Sequence, residues 1–346
     1  MARDDGKDKP SAPEVSVAVV AYQSGELLAR CLAAVDGQTT PDVELVLVDN
    51  ASDDGAAEAE AAARPEATFI RNRENRGFAA AVNQAAQAAR GRWLALLNPD
   101  AFAEPDWLAE LLAAAKAHPD VRCFASRQLM AEDPTVLDGL GDVMSASGLA
   151  YRGGYLRRDP GGAVAGEVFS ACGGAMMIDR ALFLEMGGLD ERLFCYCEDV
   201  DLGYRLRLRG EATVLAPKAV VRHVGSASSG GPRSDFAVFH GTRNRVWVYL
   251  KNTPPLLLAM TLPYHLAITA LLFASHAKRR ELRAPLRGLA AAIRGLPLAL
   301  RMRREAQAGR TATSCDIARM MVWSPAALVR RDPLVRPLRA PPAPIR

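Results

Sequence analysis

Along the first hundred residues, strand-length apolar runs alternate with helical patterns, and the runs repeatedly end in polar clusters. Val15 to Tyr22 (VSVAVVAY) is β-branched and apolar, and Leu27, Leu28, Cys31, Leu32 and Val35 then recur at helical spacing. Val43 to Val48 (VELVLV) repeats the strand signal and closes on Asp49-Asn50-Ala51-Ser52-Asp53-Asp54-Gly55. An Ala/Glu helix follows, then a short strand at Thr68 to Ile70. Asn75-Arg76-Gly77-Phe78 leads into a helix reaching about Ala89, and Trp93 to Leu97 (WLALL) is a fourth strand ending at Asn98-Pro99-Asp100. Runs that are apolar at nearly every position need cover on both faces, which predicts an α/β fold with a mostly parallel sheet flanked by helices. Such sheets bind ligands beyond the strand carboxyl ends, where this chain places its polar clusters. No GxGxxG opens the first helix and no GxxxxGK[ST] occurs, so the dinucleotide and P-loop readings lose their main signals.

Downstream the pattern loosens. Residues 129–166 are rich in Gly and Asp, as expected of long loops or short strands forming a binding rim. Gly173 to Ile178 reads as a strand and Arg180 to Met186 as a short helix stopped by Gly187-Gly188. Thr213 to Leu215 and Ala219 to Val221 read as two short strands, followed by a Ser/Gly loop (225–234) and a helix over Phe236 to Leu250. Between these lies FCYCEDVDLGYR (194–205), which puts Glu198, Asp199 and Asp201 at the start of an apparent helix. Acidic residues favour the positive end of a helix dipole, and Asp201 is expected on the helix surface, paired with Arg205 one turn on.

Several residues carry chemistry as well as structure. Asp49, just past a strand, can accept hydrogen bonds from a base or sugar hydroxyl, or can close an Asx turn in its own loop. Asp100 can hold Mg²⁺ or Mn²⁺ beside a diphosphate, since such ions take few protein ligands plus phosphate oxygens, although Asn-Pro-Asp also makes an ordinary turn. His223, closing VVRH, can join that metal, touch phosphate, or be a satisfied buried histidine. Arg76 can offset phosphate charge or simply precede its helix.

Charge is distributed unevenly. From His276 onward sixteen Lys/Arg face four Asp/Glu, so that segment carries +12 in a chain of +4, leaving −8 for everything before it. A basic end on an acidic body predicts an anionic surface as partner. With Trp323 as its one aromatic and no nucleic-acid module, acidic phospholipid is expected rather than nucleic acid. Leu256 to Ala274 is nineteen residues without a charged side chain, but Pro263, Tyr264 and His265 sit in its middle. A helix lying in the membrane interface, with Lys278, Arg279, Arg280 and Arg283 on the headgroups, is therefore expected over a spanning one; burial in a homodimer contact is the alternative. The last stretch, RDPLVRPLRAPPAPIR, reads as disordered. The six cysteines are scattered, with no CxxC and no signal peptide before them, which fits a reducing cytosol.

The order of these pieces is more specific than any one of them. The Asp cluster, NRGFAAAVN, NPD, then GGAMMIDRALFLEMGGLDERLFCYCEDVDLGYRLRLRG and VVRHVGSAS, resembles the family 2 glycosyltransferases of GT-A fold, and within them the rhamnosyltransferase-like branch. The resemblance covers about residues 14–252. It implies that Asp49 contacts the nucleoside of a nucleotide-sugar donor, with Val20, Tyr22 and Arg76 lining the same pocket. Asp100 would occupy the metal position of a DxD motif whose first Asp is here Asn98, a donor-side residue, and His223 would be a metal or diphosphate ligand. Asp199 would be the catalytic base and Glu198 its neighbour. The organisation expected is a leader (1–14), a nucleotide-diphospho-sugar transferase domain (15–252), a helical membrane-interfacial extension (253–310) and a basic Pro/Arg-rich tail (311–346). The implied activity is inverting transfer of a sugar, first L-rhamnose from dTDP-L-rhamnose, to a lipid-linked or glycan acceptor at the cytoplasmic membrane face. A UDP-hexose or UDP-galactofuranose donor, or a non-catalytic scaffold role, stands as the alternative.

Overall fold

The computed structural model describes residues 12–225, 231 and 233–338. The leader falls outside them except for its last three residues, as does most of the Ser/Gly loop. Strand β1 (Val15–Ala21), helix α1 (Gly25–Asp36), β2 (Glu44–Asp49), α2 (Ala56–Ala62), β3 (Thr68–Arg71), α3 (Phe78–Ala88) and β4 (Trp93–Leu97) follow the predicted order. β1 pairs in parallel with both β2 and β4, and β2 with β3. Every residue of β1, β2 and β4 is buried, which is why those runs carry no alternation.

Beyond β4 come β5 (Ala101–Ala103), α4 (Trp107–Ala117) and β6 (Cys123–Met130), none of which the sequence reading picked out. β6 escapes notice because Ser126-Arg127-Gln128 interrupts its apolar run. Ser126 is nonetheless buried, accepting a 2.8 Å hydrogen bond from Trp107 Nε1. The rim region supplies β7 (Leu137–Leu140), β8 (Asp142–Ser145), β9 (Ala150–Arg152) and β10 (Gly166–Val168), and β11 (Ala175–Asp179) runs antiparallel between β4 and β6. After α5 (Arg180–Glu185), a 3₁₀ turn (Glu191–Leu193) leads into α6 (Glu198–Leu208).

The two strands expected after α6 are one, β12 (Thr213–His223). It runs parallel to β6 through a register shift between Ala216 and Val220. Pro217, which has no N–H to give the ladder, falls in that shift and produces the apparent break. The sheet order is β10-β12-β6-β11-β4-β1-β2-β3, with β5 on β12 and β7 on β6. It is parallel through β3-β2-β1-β4 and mixed beyond.

The chain ends with α7 (Asp235–Asn252), α8 (Pro255–Lys278), α9 (Arg283–Arg294), α10 (Leu296–Ala308), α11 (Ser314–Arg319), β13 (Met321–Val322) and α12 (Pro325–Arg330). These elements share a core with the sheet domain: Phe169, Leu193, Val200 and Tyr204 pack with Trp247, Leu257, Ala292, Met302, Ile317 and Met320. β13 pairs with β8. The final Pro/Arg-rich stretch, expected as disordered, is held wherever it is described. Arg336 and Glu167 exchange backbone hydrogen bonds of 2.9 and 2.6 Å, because edge strand β10 offers groups that a passing chain can satisfy.

Asp201 also departs from expectation. It is fully buried instead of lying on the helix surface. Its pairing with Arg205 holds at 2.8 Å, but α7 covers it and adds Lys251 Nζ at 2.8 Å and Asn252 Nδ2 at 2.7 Å. A carboxylate this buried persists because it is paired and hydrogen-bonded.

Candidate active site

A cleft of about 680 Å³ opens at the carboxyl ends of β1 and β4. Seven of the nine residues singled out from sequence line it. Val20 and Tyr22 come from the end of β1, Asn98 and Asp100 from the turn after β4, Glu198 and Asp199 from the first turn of α6, and His223 from the end of β12. Two do not reach its wall. Arg76 is exposed, and its backbone N–H donates to Asn50 Oδ1 at 3.1 Å. Asp49 is fully buried behind Asn50, and both readings of it have a physical basis. Its Oδ1 accepts from Ser52 N–H at 2.9 Å, closing its own loop. Its Oδ2 has no hydrogen-bond partner among the described residues and lies 3.6 Å from Arg71 Nε.

β12 lies antiparallel to β5, which sets His223 opposite Ala101 and brings its ring to Asp100. Nε2 is 3.2 Å from Asp100 Oδ1, and Nδ1 is 2.8 Å from Asp138 Oδ2. Burial opposes the charged ring, but hydrogen bonds and charge from Asp100 and Asp138 outweigh it and raise the pKa to about 9. Asp138 was not foreseen. Its carboxylate holds Nδ1 and so turns Nε2 toward Asp100, as carboxylates orient metal-ligating histidines, and a metal at Nε2 would displace the proton there. Among the described residues no cluster of three His, Cys, Asp or Glu side chains could hold a metal. Asp100 and His223 therefore fit a divalent ion only as a two-residue set completed by phosphate oxygens.

Across the cleft, Asp199 Oδ2 accepts from Gly173 N–H at 2.9 Å and Oδ1 from Val200 N–H at 2.7 Å, at the electropositive start of α6. Glu198 is buried, and its Oε2 has no hydrogen-bond partner among the described residues. Burial first, then the charge of Asp199, push its carboxyl well above the usual range and favour the protonated form. Asp142 on β8 behaves alike: burial and Asp199 raise it, while Arg152 and the 3.1 Å hydrogen bond from Ser170 oppose the rise.

Arg152 on β9 adds a cation to the wall, its Nη1 paired with Asp138. The wall also carries Asn50, whose amide donates to Asn75 Oδ1 at 3.0 Å and to Gly77 carbonyl at 3.3 Å, joining the loops after β2 and β3. Gly77, at φ 83°, cannot be replaced: a Cβ would lie 2.6 Å from the Phe194 carbonyl oxygen. Asp138, Asp142 and Arg152 come from the rim, whose short strands leave no periodic trace in sequence. Cys195 and Cys197 are free, and burial raises both thiols, as expected of small apolar residues.

The family model described as glycosyl transferase family 2 matches residues 16–186. The N-acetylglucosaminyl-diphospho-decaprenol L-rhamnosyltransferase of Mycobacterium tuberculosis is 30% identical over 255 residues, 65% of this chain and 80% of that protein. Among solved structures, GalNAc-T7 with UDP, GalNAc and Mn²⁺ has TM-score 0.56 at 20% identity, covering 70% of this chain and 48% of its own. The mannosyltransferase PcManGT of Pyrobaculum calidifontis, with GDP-Man and Mn²⁺, has TM-score 0.53 at 20% identity, covering 83% of this chain and 88% of that one. The shared architecture is the GT-A fold that the sequence implied.

Proposed function

The chain belongs to glycosyl transferase family 2, and from that premise we propose that this glycosyltransferase moves L-rhamnose from dTDP-L-rhamnose to a lipid-linked acceptor, inverting the anomeric centre. The observation that carries the reading is the cleft itself, with Asp199 on one wall and the Asp100/His223 pair on another. The L-rhamnosyl group and the diphospho-lipid acceptor are taken from the 30% identical relative, and the dTDP carrier from the family resemblance of the sequence.

A sugar hydroxyl is a weak nucleophile at neutral pH. Asp199, held at the start of α6 by two N–H groups, accepts its proton as the oxygen attacks the anomeric carbon. The bond from that carbon to the diphosphate oxygen breaks on the opposite face, and its electron pair leaves with the nucleotide. One base suffices, and the buried Glu198 beside it has its carboxyl pushed well above the usual range by burial and by Asp199. Asp100 and His223 would hold Mg²⁺ or Mn²⁺, which when bound supplies positive charge to the departing diphosphate. Arg152 stands on the same wall, with its guanidinium fixed by Asp138. Asp49 Oδ2, which has no hydrogen-bond partner among the described residues, suits a donor from the nucleoside once the loop above it adjusts.

The thermal-shift response to a panel of nucleotide sugars with Mn²⁺ tests the donor. A specific donor at 100 times its Kd adds about 2.7 kcal/mol to stability. dTDP-L-rhamnose is expected to raise Tm most, and a larger rise with UDP-galactofuranose or a UDP-hexose would replace it. Asp100→Asn is expected to remove the Mn²⁺-dependent part of the shift and to lower kcat/KM about 30-fold, the scale of losing part of one electrostatic contact. Full activity in that variant, or in EDTA, would discard the two-residue metal set.

For location we propose peripheral attachment at the cytoplasmic membrane face through α8. Among the described residues it is the one helix long and apolar enough to cross a membrane. Leu257, Thr261 and His265 face inward at four-residue spacing, and His265 stacks on Tyr249 at 4.0 Å and meets the Ser147 carbonyl at 2.9 Å. Of the polar middle that argued against a span, His265 is thus turned toward the protein, while Pro263 and Tyr264 are exposed. Leu256, Met260, Tyr264, Leu266 and Leu271 remain exposed, with Lys278, Arg279, Arg280 and Arg283 beyond them. Such a surface suits an interface rich in anionic lipid. Leu266→Glu with Leu271→Glu is expected to weaken co-sedimentation with phosphatidylglycerol-containing vesicles at least roughly tenfold, on the scale of burying two leucines. Undiminished binding would remove α8 from the interface.

A further inference from the structure

We infer that Asn244 is a positioning residue for Asp199, its side-chain amide holding the turn that delivers the base into the cleft; the inference rests on the reading of Asp199 as base. The turn is an improbable one. Phe194 has φ 68° and ψ −66°, and Cys195 N–H donates to the Leu193 carbonyl at 2.8 Å, which together make the rare form of three-residue γ-turn. Tyr196 (φ 69°) and Cys197 (φ 68°) are left-handed as well. Three of the four residues from Phe194 to Cys197 therefore adopt a backbone that L side chains seldom occupy. Such a conformation persists only where its surroundings over-determine it.

Asn244, fully buried on α7, provides that constraint. Its Nδ2 lies 2.9 Å from the Leu193 carbonyl, 2.9 Å from that of Cys195 and 2.7 Å from that of Tyr196. Its Oδ1 accepts from Arg243 Nε at 2.8 Å, which fixes the amide with nitrogen toward the turn. Arg243 Nη2 also donates to the Leu193 carbonyl at 2.8 Å. The turn ends at Cys197, which precedes α6 without a side-chain cap, so Glu198 and Asp199 follow it directly. On its other side Ala79 N–H holds the Phe194 carbonyl at 3.2 Å. Release of the turn moves Asp199 relative to Gly173, its partner across the cleft.

Base catalysis tolerates little displacement, since a shift of about 1 Å costs on the order of 10²-fold. Asn244→Ala is expected to lower kcat about 30-fold, with the donor KM changed by less than about threefold. Asn244→Asp keeps the shape but points a carboxylate oxygen at the carbonyls, and is expected to be at least as slow. The deciding measurement is a double-mutant cycle. In an Asp199→Asn background, Asn244→Ala is expected to lower the residual rate by less than about threefold, because its effect runs through the carboxylate already removed. Near-normal kcat in Asn244→Asp, or the same loss in both backgrounds, overturns the inference. Full turnover in Asp199→Asn alone would instead sink the base assignment. Should the Asn244 variants fail to fold, Arg243→Gln takes their place in the cycle, with an expected loss of about fivefold that vanishes in the Asp199→Asn background; an equal loss in both overturns the inference.

Discussion

Asp199→Asn is expected to slow sugar transfer about 10³-fold while leaving the donor Kd within about threefold, as measured by steady-state kinetics and by calorimetric titration with the nucleotide sugar. The substitution keeps the size of the side chain. Its oxygen can still accept from Gly173 N–H, so the first turn of α6 retains that contact. What is lost is the capacity to take a proton. General-base assistance contributes between about 10² and 10⁴ to rate, and the expected loss lies in the middle of that range. Glu198 is buried, one of its oxygens lacks a hydrogen-bond partner among the described residues, and burial pushes its carboxyl well above the usual range. Removing the charge of Asp199 withdraws the second cause that raises Glu198, but burial, the first, remains. A variant with turnover above about a tenth of wild type would show that another group takes the proton. Asp142, which also lines the cleft, would be the next residue to replace.

How legible all this was depended on whether a residue's partners lie in its own segment. β1, β2 and β4 are buried on both faces and announce themselves as unbroken apolar runs. Asp100, Glu198, Asp199 and His223 end or begin such elements, so an ordered pattern along the chain could flag them. β6 was missed because polar residues interrupt its run, Ser126 meeting Trp107 of α4 and Arg127 pairing with Asp159, and Asp138 and Arg152 because the strands carrying them are four residues or shorter. Asp201 shows the limit most sharply. Within its own helix everything about it suggests a surface residue, including an Arg one turn on. Only the packing of α7, some fifty residues later, reveals its burial beside Lys251.

That buried pairing carries the second large expectation: Lys251→Met should cost about 3 kcal/mol of stability at pH 8, read from denaturant unfolding. Lys251 Nζ lies 2.6 Å from Asp190 Oδ2 and 2.8 Å from Asp201 Oδ1, with all three side chains almost wholly removed from solvent. Methionine fills much of the volume but leaves two carboxylates without their shared cation, and breaking a buried pair from one side costs about 3–5 kcal/mol. Arg192 still meets Asp190 and Arg205 still meets Asp201, which places the loss at the lower end. The pH dependence has a definite sign. In the native chain burial raises both carboxyls, but the paired cations prevail and hold them below their ordinary values. Their contribution to stability is therefore present above the ordinary carboxylate range and is lost only as pH falls through the depressed folded values. Without Lys251 the burial contribution is opposed by less, the folded pKa values rise, and protonation relieves the variant as the solution is acidified. Its deficit should therefore narrow between pH 8 and pH 5, where the native chain still keeps both groups charged. A deficit below about 1 kcal/mol, or one that does not change with pH, would mean that the two arginines already neutralise the pair and that Lys251 adds little.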